Sequence, residues 1–356
     1  MKRIKNMAVY LLLIMLCAQL LAFPETSCGA AKEAVMRCLN VLIPSLFVFM
    51  ASASLLTKSG AYKVISLPLY PIAKYVFKMP YELFSVVLIS NIAGFPIGAS
   101  MLSSLVDEGR IDKKTASIMQ CFCYGGGPSF SVGVIGLALF KDKTVGYIIC
   151  LSAFLANMIF AFFICRIFKL KINDDDSHQS FSSGDIISCT EKAGYSMLMI
   201  CALVIIFCVI MADIQELGKI LLKNSCYNIP YQAGTLIKTI FEVSSISQLT
   251  NARAVDIPLI ASLFSFGGVC VLMQIIATVK GRYSLTPFFI TRLPISIISL
   301  FAAKWLCARF IDNTKYCIAV NDNFIVNFNN FIPSICLILM IFLLLFKKGV
   351  AFFRDI

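Results

Sequence analysis

The chain has 356 residues, 59% of them hydrophobic and 14% charged, with a net charge of +12 and a mean hydropathy of +0.86. Soluble domains hold about 45–50% apolar and about 25% charged residues, so a water-soluble fold is excluded and the lipid bilayer is the solvent. The basic residues stand mostly at the ends of apolar stretches, where positive charge sets membrane orientation. That placement argues against nucleic acid as a partner.

The N-terminus reads Met1-Lys2-Arg3-Ile4-Lys5 and then runs apolar to Phe23. It has the form of a signal peptide, but apolar spans fill the rest of the chain, so it reads as a first membrane helix. Ala18, Leu20 and Ala22 leave cleavage open. A span needs about 20 apolar residues, and the expected spans are 7–23, 39–57, 118–140, 145–168, 195–213, 257–279, 286–306 and 329–346. Two more apolar stretches, 82–105 and 232–250, carry helix breakers or polar residues at their centres and are expected to be re-entrant.

Most of the 15 cysteines, such as Cys165 and Cys208, lie inside apolar runs and act there as small hydrophobes. Cys121 and Cys123 are too close for a CxxC pair, and no zinc spacing occurs. The single histidine, His178, sits in the polar run 174–179. There is no Walker A sequence, nucleophile elbow, HExxH or dinucleotide fingerprint. Neither enzyme chemistry, nor a cofactor, nor a metal is expected.

With the N-terminus inside, the positive-inside rule places Lys58, Lys63, Lys74, Lys78, Arg110, Lys113, Lys114, Arg166, Lys169, Lys171, Lys280 and Arg282 on the cytoplasmic side. Lys32, Arg37, Lys141, Lys143 and Arg253 fall in outer loops. The order of elements then repeats with opposite orientation. The expected fold is an all-α polytopic membrane protein of about eight spanning helices plus two re-entrant broken segments in an inverted-topology repeat. Its parts are an N-terminal membrane helix (1–35), a first repeat (36–170), a polar cytoplasmic linker (171–194), a second repeat (195–310) and a C-terminal loop and helix (311–356). Inverted repeats with broken helices at matched positions point to a secondary transporter with its site at the repeat interface.

The site candidates follow from the breaks. Gly94-Phe95-Pro96-Ile97-Gly98 interrupts the first re-entrant segment, with Asn91 just before it, and Gly125-Gly126-Gly127-Pro128-Ser129 interrupts or begins the next span. Such breaks free backbone groups that cannot face lipid, and half-helix N-termini attract anions. Close helix packing is the other reading of these glycines. From this half the candidates are Asn91, Gly94, Pro96, Gly98, Gly126, Gly127 and Ser129. The second half offers Glu242, Ser244, Ser245 and Gln248 in its broken segment, then Gly267, Gly268 and Gln274. An ionisable residue at membrane depth is a functional candidate, so Glu242 is expected to bind a proton, a cation or a substrate hydroxyl, or else to pair with Lys238. Arg292 either snorkels to the interface or binds an anion.

These motifs, in order, resemble a known family. Asn91-Ile92-Ala93-Gly94-Phe95-Pro96-Ile97-Gly98-Ala99, Glu108-Gly109-Arg110-Ile111, Phe122-Cys123-Tyr124-Gly125-Gly126-Gly127-Pro128-Ser129-Phe130, Phe241-Glu242-Val243-Ser244 and Phe266-Gly267-Gly268 through Gln274 look like those of the sporulation integral membrane proteins of the YlbJ/SpoVV type. Those proteins carry the nucleoside-recognition (Gate) domain. The similarity covers about residues 36–345. It implies an architecture similar to concentrative nucleoside transporters, a role in endospore formation, and movement of dipicolinic acid from mother cell to forespore. The cell membrane, the outer forespore membrane among its forms, is the implied location. Phe95 stands where the family has tyrosine, Tyr124-Gly125 replaces an Asn-containing approach to the Gly-Pro, and Cys270 replaces serine.

The expected function is thus a secondary-type transporter of a small organic anion, dipicolinic acid by resemblance. A nucleoside or other metabolite carrier of the same fold and a non-transporting scaffold of spore assembly are the alternatives. The expected partners are a small-molecule substrate and the bilayer, with a coupling ion and homo-oligomerisation left open. Glu242 would repel a dianion unless protonated or facing a cation, whereas a neutral nucleoside would suit Glu242 and Gln274 as hydrogen-bond partners.

Overall fold

The computed structural model describes residues 17–18, 20–65, 67–173, 183–221, 238–249 and 252–311. The expected span 329–346, most of 7–23, residues 174–182 of the linker and the first part of 232–250 lie outside this set. All regular structure among the described residues is helical. Four helices are long and apolar enough to cross a bilayer: Lys143–Ile167, Gly184–Gly218, Ala254–Val279 and Thr286–Phe310. The chain is a polytopic all-α integral membrane protein.

Helix α1, Pro24–Arg37, opens with Pro24 in its first turn, where a missing N–H removes no helical bond. It passes through a π-wound turn, Cys38–Leu42, into α2, Ile43–Ser59, which Gly60 ends at φ +73°. This corrects an expectation. Residues 24–38, read as an outer loop, are helical, because nothing after Pro24 breaks the run and alanines favour it. Beside this long rod lies the 39-residue helix α8, Ser183–Leu221. At about 1.5 Å per residue it exceeds the expected 195–213 and outreaches the hydrocarbon layer. Ser27 bonds Asp213 while Cys38 meets the carbonyl of Cys201, so the two rods run antiparallel.

The segment 82–105 is a helical hairpin: α3, Tyr81–Ala93, and α4, Ile97–Asp107. In a continuous helix Ser90 and Gly98 would stand about 12 Å apart. Here a Cβ on Gly98 would lie 2.9 Å from the Cβ of Ser90, so the chain has turned back on itself at Gly94–Pro96. Gly94 makes the turn at φ +94°, open to glycine alone at no cost.

The expected span 118–140 is not one helix. Helix α5, Lys113–Met119, is capped by Asp112. The chain then leaves helical form until α6, Ser129–Leu139, which is wound as a π-helix. Three glycines and a proline carry no helical preference, and the freed carbonyls find other partners. Helix α7, Lys143–Ile167, follows and meets α6 where Gly136 and Gly146 bring the backbones together. The expected span 257–279 is likewise divided, into α9, Ile257–Phe266, and α10, Gly268–Val279, with Gly267 and Gly268 both at positive φ. Helix α9 packs on α7 and on α11, Thr286–Phe310, whereas α10 packs on α4 and α8.

The turns between helices gather on one face. Arg282 holds Asp107 through Nε at 2.8 and 2.9 Å. Ser117 donates to the carbonyl of Ser284 at 2.5 Å, and Asn173 to that of Gly109 at 2.9 Å. Arg110 stacks on Tyr62, and Lys63 pairs with Glu82 at 2.8 Å. Both ends of the α3–α4 hairpin therefore lie on this face, among many of the basic residues that charge patterning assigns to one side.

Candidate functional site

The first break is held by asparagines. Asn91, in the last turn of α3, donates to the carbonyls of Val87 at 2.8 Å and Phe122 at 3.1 Å. Asn157, midway along α7, donates to the Asn91 side chain at 2.7 Å and to the carbonyl of Tyr124 at 2.6 Å. Unpaired carbonyls at this depth would cost about 1–3 kcal/mol each, and these side chains remove that cost. Glycine then allows contact: a Cβ on Gly98 would sit 2.1 Å from the Cys123 carbonyl oxygen, and one on Gly125 3.0 Å from the Asn91 side chain.

The two broken helices meet directly. Tyr124, in the non-helical stretch between α5 and α6, donates its hydroxyl to the carbonyl of Phe266 at 2.9 Å, at the end of α9. Gly267 leaves room for that hydroxyl, since a Cβ there would lie 1.9 Å from it. Arg292 completes the junction. It is 1% exposed, bonds the carbonyl of Cys121 through Nη2, and lies over the rings of Tyr124 and Phe288 at 4.5 and 4.7 Å. Cation–π contacts of a desolvated guanidinium contribute about 2 kcal/mol, which helps offset its burial. Its Nε and Nη1 have no partner among the described residues.

Glu242 starts a 3-10 helix, Val243–Gln248, and caps it by accepting from the Ser244 N–H at 2.9 Å. Its Oε1 is thus satisfied by the positive end of the turn, while Oε2 is buried and meets no partner at full hydrogen-bond geometry among the described residues, with the Cys270 thiol beside the carboxylate. Glu242 is 3% exposed. Arg37, from the end of α1, donates to the Ser244 hydroxyl at 3.0 Å, bringing a cation to the same turn. On the other side Gly268 presses against the backbone of 239–243.

Between these parts lies a cavity of about 50 Å³. Glu242, Ser244, Gln274, Gly126, Gly127 and Ser129 line it, with Phe95, Phe130 and Phe264 as its aromatic walls. Two helix starts, α6 at Ser129 and the 3-10 turn at Val243, converge on it with a carboxylate between them. A site built this way can hold a proton, a cation or hydrogen-bonding groups of a solute.

Six of the sequence candidates therefore meet at one cavity. Gly94, Gly98, Gly267 and Gly268 permit close backbone approach instead. Asn91 bonds the backbone rather than facing the cavity, Pro96 sits in the hairpin turn, and Ser245 is buried in the Glu242 turn without lining the cavity. The Gln248 side chain is outside the described set. Arg292 neither snorkels nor reaches the cavity; its length is used on Cys121, Tyr124 and Phe288. Sequence reasoning passed over Asn157 and Arg37. An asparagine at the centre of an apolar span was a signal for the first, whereas Arg37 was hidden by the loop expected around it.

Comparison with known proteins gives one relative to report. The chain is similar to the sporulation integral membrane protein YlbJ of Bacillus subtilis (strain 168), 23% identical over 158 residues, which is 44% of this chain and 39% of that protein. The match thus spans about two-fifths of the relative's length. No family model matches the chain, and no solved structure does. This match agrees with the family resemblance read from the sequence.

Proposed function

We propose that the chain is a secondary transporter, not an enzyme, that moves a small organic anion, dipicolinic acid, across a membrane during sporulation. The observation that carries this reading is the small cavity between two broken helices, with Glu242 buried in it and one carboxylate oxygen without a hydrogen-bond partner among the described residues. Transporters place solute and coupling-ion sites where discontinuous helices from two repeats meet. The order of elements among the described residues supports the repeat: a long helix, a broken segment, a helix divided by glycine, then a 25-residue helix, in each half. The cargo rests on the family resemblance and on the sporulation relative.

The cavity is far smaller than the about 300–1,000 Å³ of small-molecule pockets. It is a closed state, and admitting cargo requires the two breaks to part. A dianion and an ionised Glu242 repel one another, so Glu242 carries a coupling proton when the anion is bound, with Arg37 close by at Ser244. A second reading, a carrier of neutral nucleosides, is favoured by Glu242 and Gln274 facing the same cavity while Arg292 stays outside it.

Uptake of labelled dipicolinate into vesicles holding the protein tests the choice. The expected result is dipicolinate uptake driven by a proton gradient and unaffected by excess uridine. In Glu242→Gln, uptake should persist but lose its dependence on the gradient. Uridine uptake without dipicolinate uptake, abolished by Glu242→Gln, would establish the nucleoside reading. A scaffold would move neither solute.

A further inference from the structure

A second, much larger cleft lies between α4, α8 and α10, with a volume of about 840 Å³. Its α4 wall is Ser100, Ser103, Ser104 and Asp107, the spacing of a single helical face. Lipid-facing helices do not carry such a stripe, and α4 is otherwise apolar. Opposite stand Lys192, Tyr195 and Ser196 of α8, with Thr278, Lys280 and Arg282 at the end of α10. Ser103 is 5% exposed, and its hydroxyl meets no partner at full hydrogen-bond geometry among the described residues, with the Tyr283 hydroxyl nearby. A buried hydroxyl without a partner costs about 1–3 kcal/mol unless something polar enters beside it.

The cleft has a direction. Its mouth carries Asp107, Lys280 and Arg282, on the face where the basic turns gather. Gln274 and Ile200 line both this cleft and the closed cavity that holds Glu242. These two side chains are thus the partition between the wide cleft and the buried site. Three cations line the cleft, Lys192, Lys280 and Arg282, against Asp107 and Glu191. Arg282 is bonded to Asp107, while Lys280 rests over the Tyr195 ring at 5.1 Å. The balance is positive, and low-dielectric walls concentrate anions in such a space.

We infer that this cleft is an access vestibule that binds small organic dicarboxylates on the basic face before they pass the Gln274–Ile200 partition. The inference rests on the transporter reading and adds to it a loading site, its chemistry and the face from which it fills. Ser103 and the Lys192–Lys280 side are the binding groups, and Ser100 and Ser104 line the cleft beside them.

The test uses the full chain in sealed vesicles, with Ser100→Cys and Ser104→Cys, changes small enough to keep the fold. A membrane-impermeant cationic thiol reagent is applied to either face, and modification is read at the introduced position by peptide mass spectrometry, so native cysteines do not interfere. Leu293→Cys, on an exposed part of α11, is the lipid-facing control. We expect both cleft positions to react at least ten times faster than the control, only from the basic face. Pyridine-2,6-dicarboxylate should slow them several-fold and uridine should not. Rates equal to the control, reaction from the other face, or no protection by the dicarboxylate would overturn the vestibule. Labelling does not depend on transport. Protected labelling without uptake would sink the transporter reading and keep the binding cleft, and uptake without protected labelling would do the reverse.

Discussion

The two broken segments are built to different standards. At the first, side chains from α3 and α7 bond three backbone carbonyls around the break, and glycines bring the backbones into contact. At the second, a short 3-10 turn is capped by its own Glu242, one oxygen of which has no hydrogen-bond partner among the described residues, and Arg37 grips Ser244 from outside the turn. Buried polar groups left without partners in native proteins call for a reason. Under the proposed transport function we read the contrast as a division of labour, with the first break as the frame and the second as the binding part.

The largest effect is expected from filling the frame. Gly98→Ala puts a methyl 2.1 Å from a backbone oxygen, a clash no rotamer relieves. Overpacking costs about 1–3 kcal/mol, so the detergent-solubilised protein should melt several degrees lower. Gly133→Ala, with nothing within 4 Å, is the comparison and should leave the melting point nearly unchanged. Asn157→Leu comes next. It strips the carbonyl of Tyr124 and the Asn91 side chain of a donor, but it also removes an Asn157 oxygen that is buried without a partner among the described residues, so the net cost should be about 1 kcal/mol. Equal melting points for Gly98→Ala and Gly133→Ala would show that the hairpin is not the fixed part.

Much of this was legible in the sequence, for different reasons in different places. Hydropathy located α7 and α11 within a few residues at most ends, because an uninterrupted apolar run in lipid has no alternative to a helix. Gly94-Phe95-Pro96 read as a break because glycine and proline act locally. Gly267-Gly268 was visible as a pair, but whether two glycines end a helix or merely thin it depends on what approaches. Here the Tyr124 hydroxyl and the 239–243 backbone approach, and both are distant in sequence. Arg292 was read as snorkelling to the interface or binding an anion, whereas its partners are carbonyl and ring groups brought in by the fold. The serine stripe of α4 stood in plain view and was read as part of an apolar segment.

The second segment should respond in function more than in stability. Arg37→Ala removes the donor to Ser244, a half-buried bond to a charged group worth about 1 kcal/mol or slightly more. Its melting point should fall only slightly, while dipicolinate uptake drops strongly. Ser244→Ala should resemble it, and the double variant should add little, because both remove one interaction. If Arg37→Ala instead unfolds the protein as Gly98→Ala does, the second segment belongs to the frame too.

The smallest effect is expected at the rim of the frame, where Asp112 caps α5 by accepting from the Thr115 N–H at 3.0 Å. Hydrogen bonding from Thr115 holds this carboxyl below its usual range, against a smaller opposing effect of burial. A carboxyl with a depressed folded pKa stabilises the fold at pH values above its unfolded pKa, and that contribution is lost as pH falls through the folded value. Asp112→Ala should therefore lower stability by about 1 kcal/mol at neutral pH, and the difference from the parent should vanish in acid below the ordinary aspartate range. Asp112→Asn keeps an acceptor without the charge, so it should retain most of the stability and lose the pH dependence. If Asp112→Ala cost as much as Gly98→Ala, the frame would depend on its rim and not on the glycine contacts at its centre.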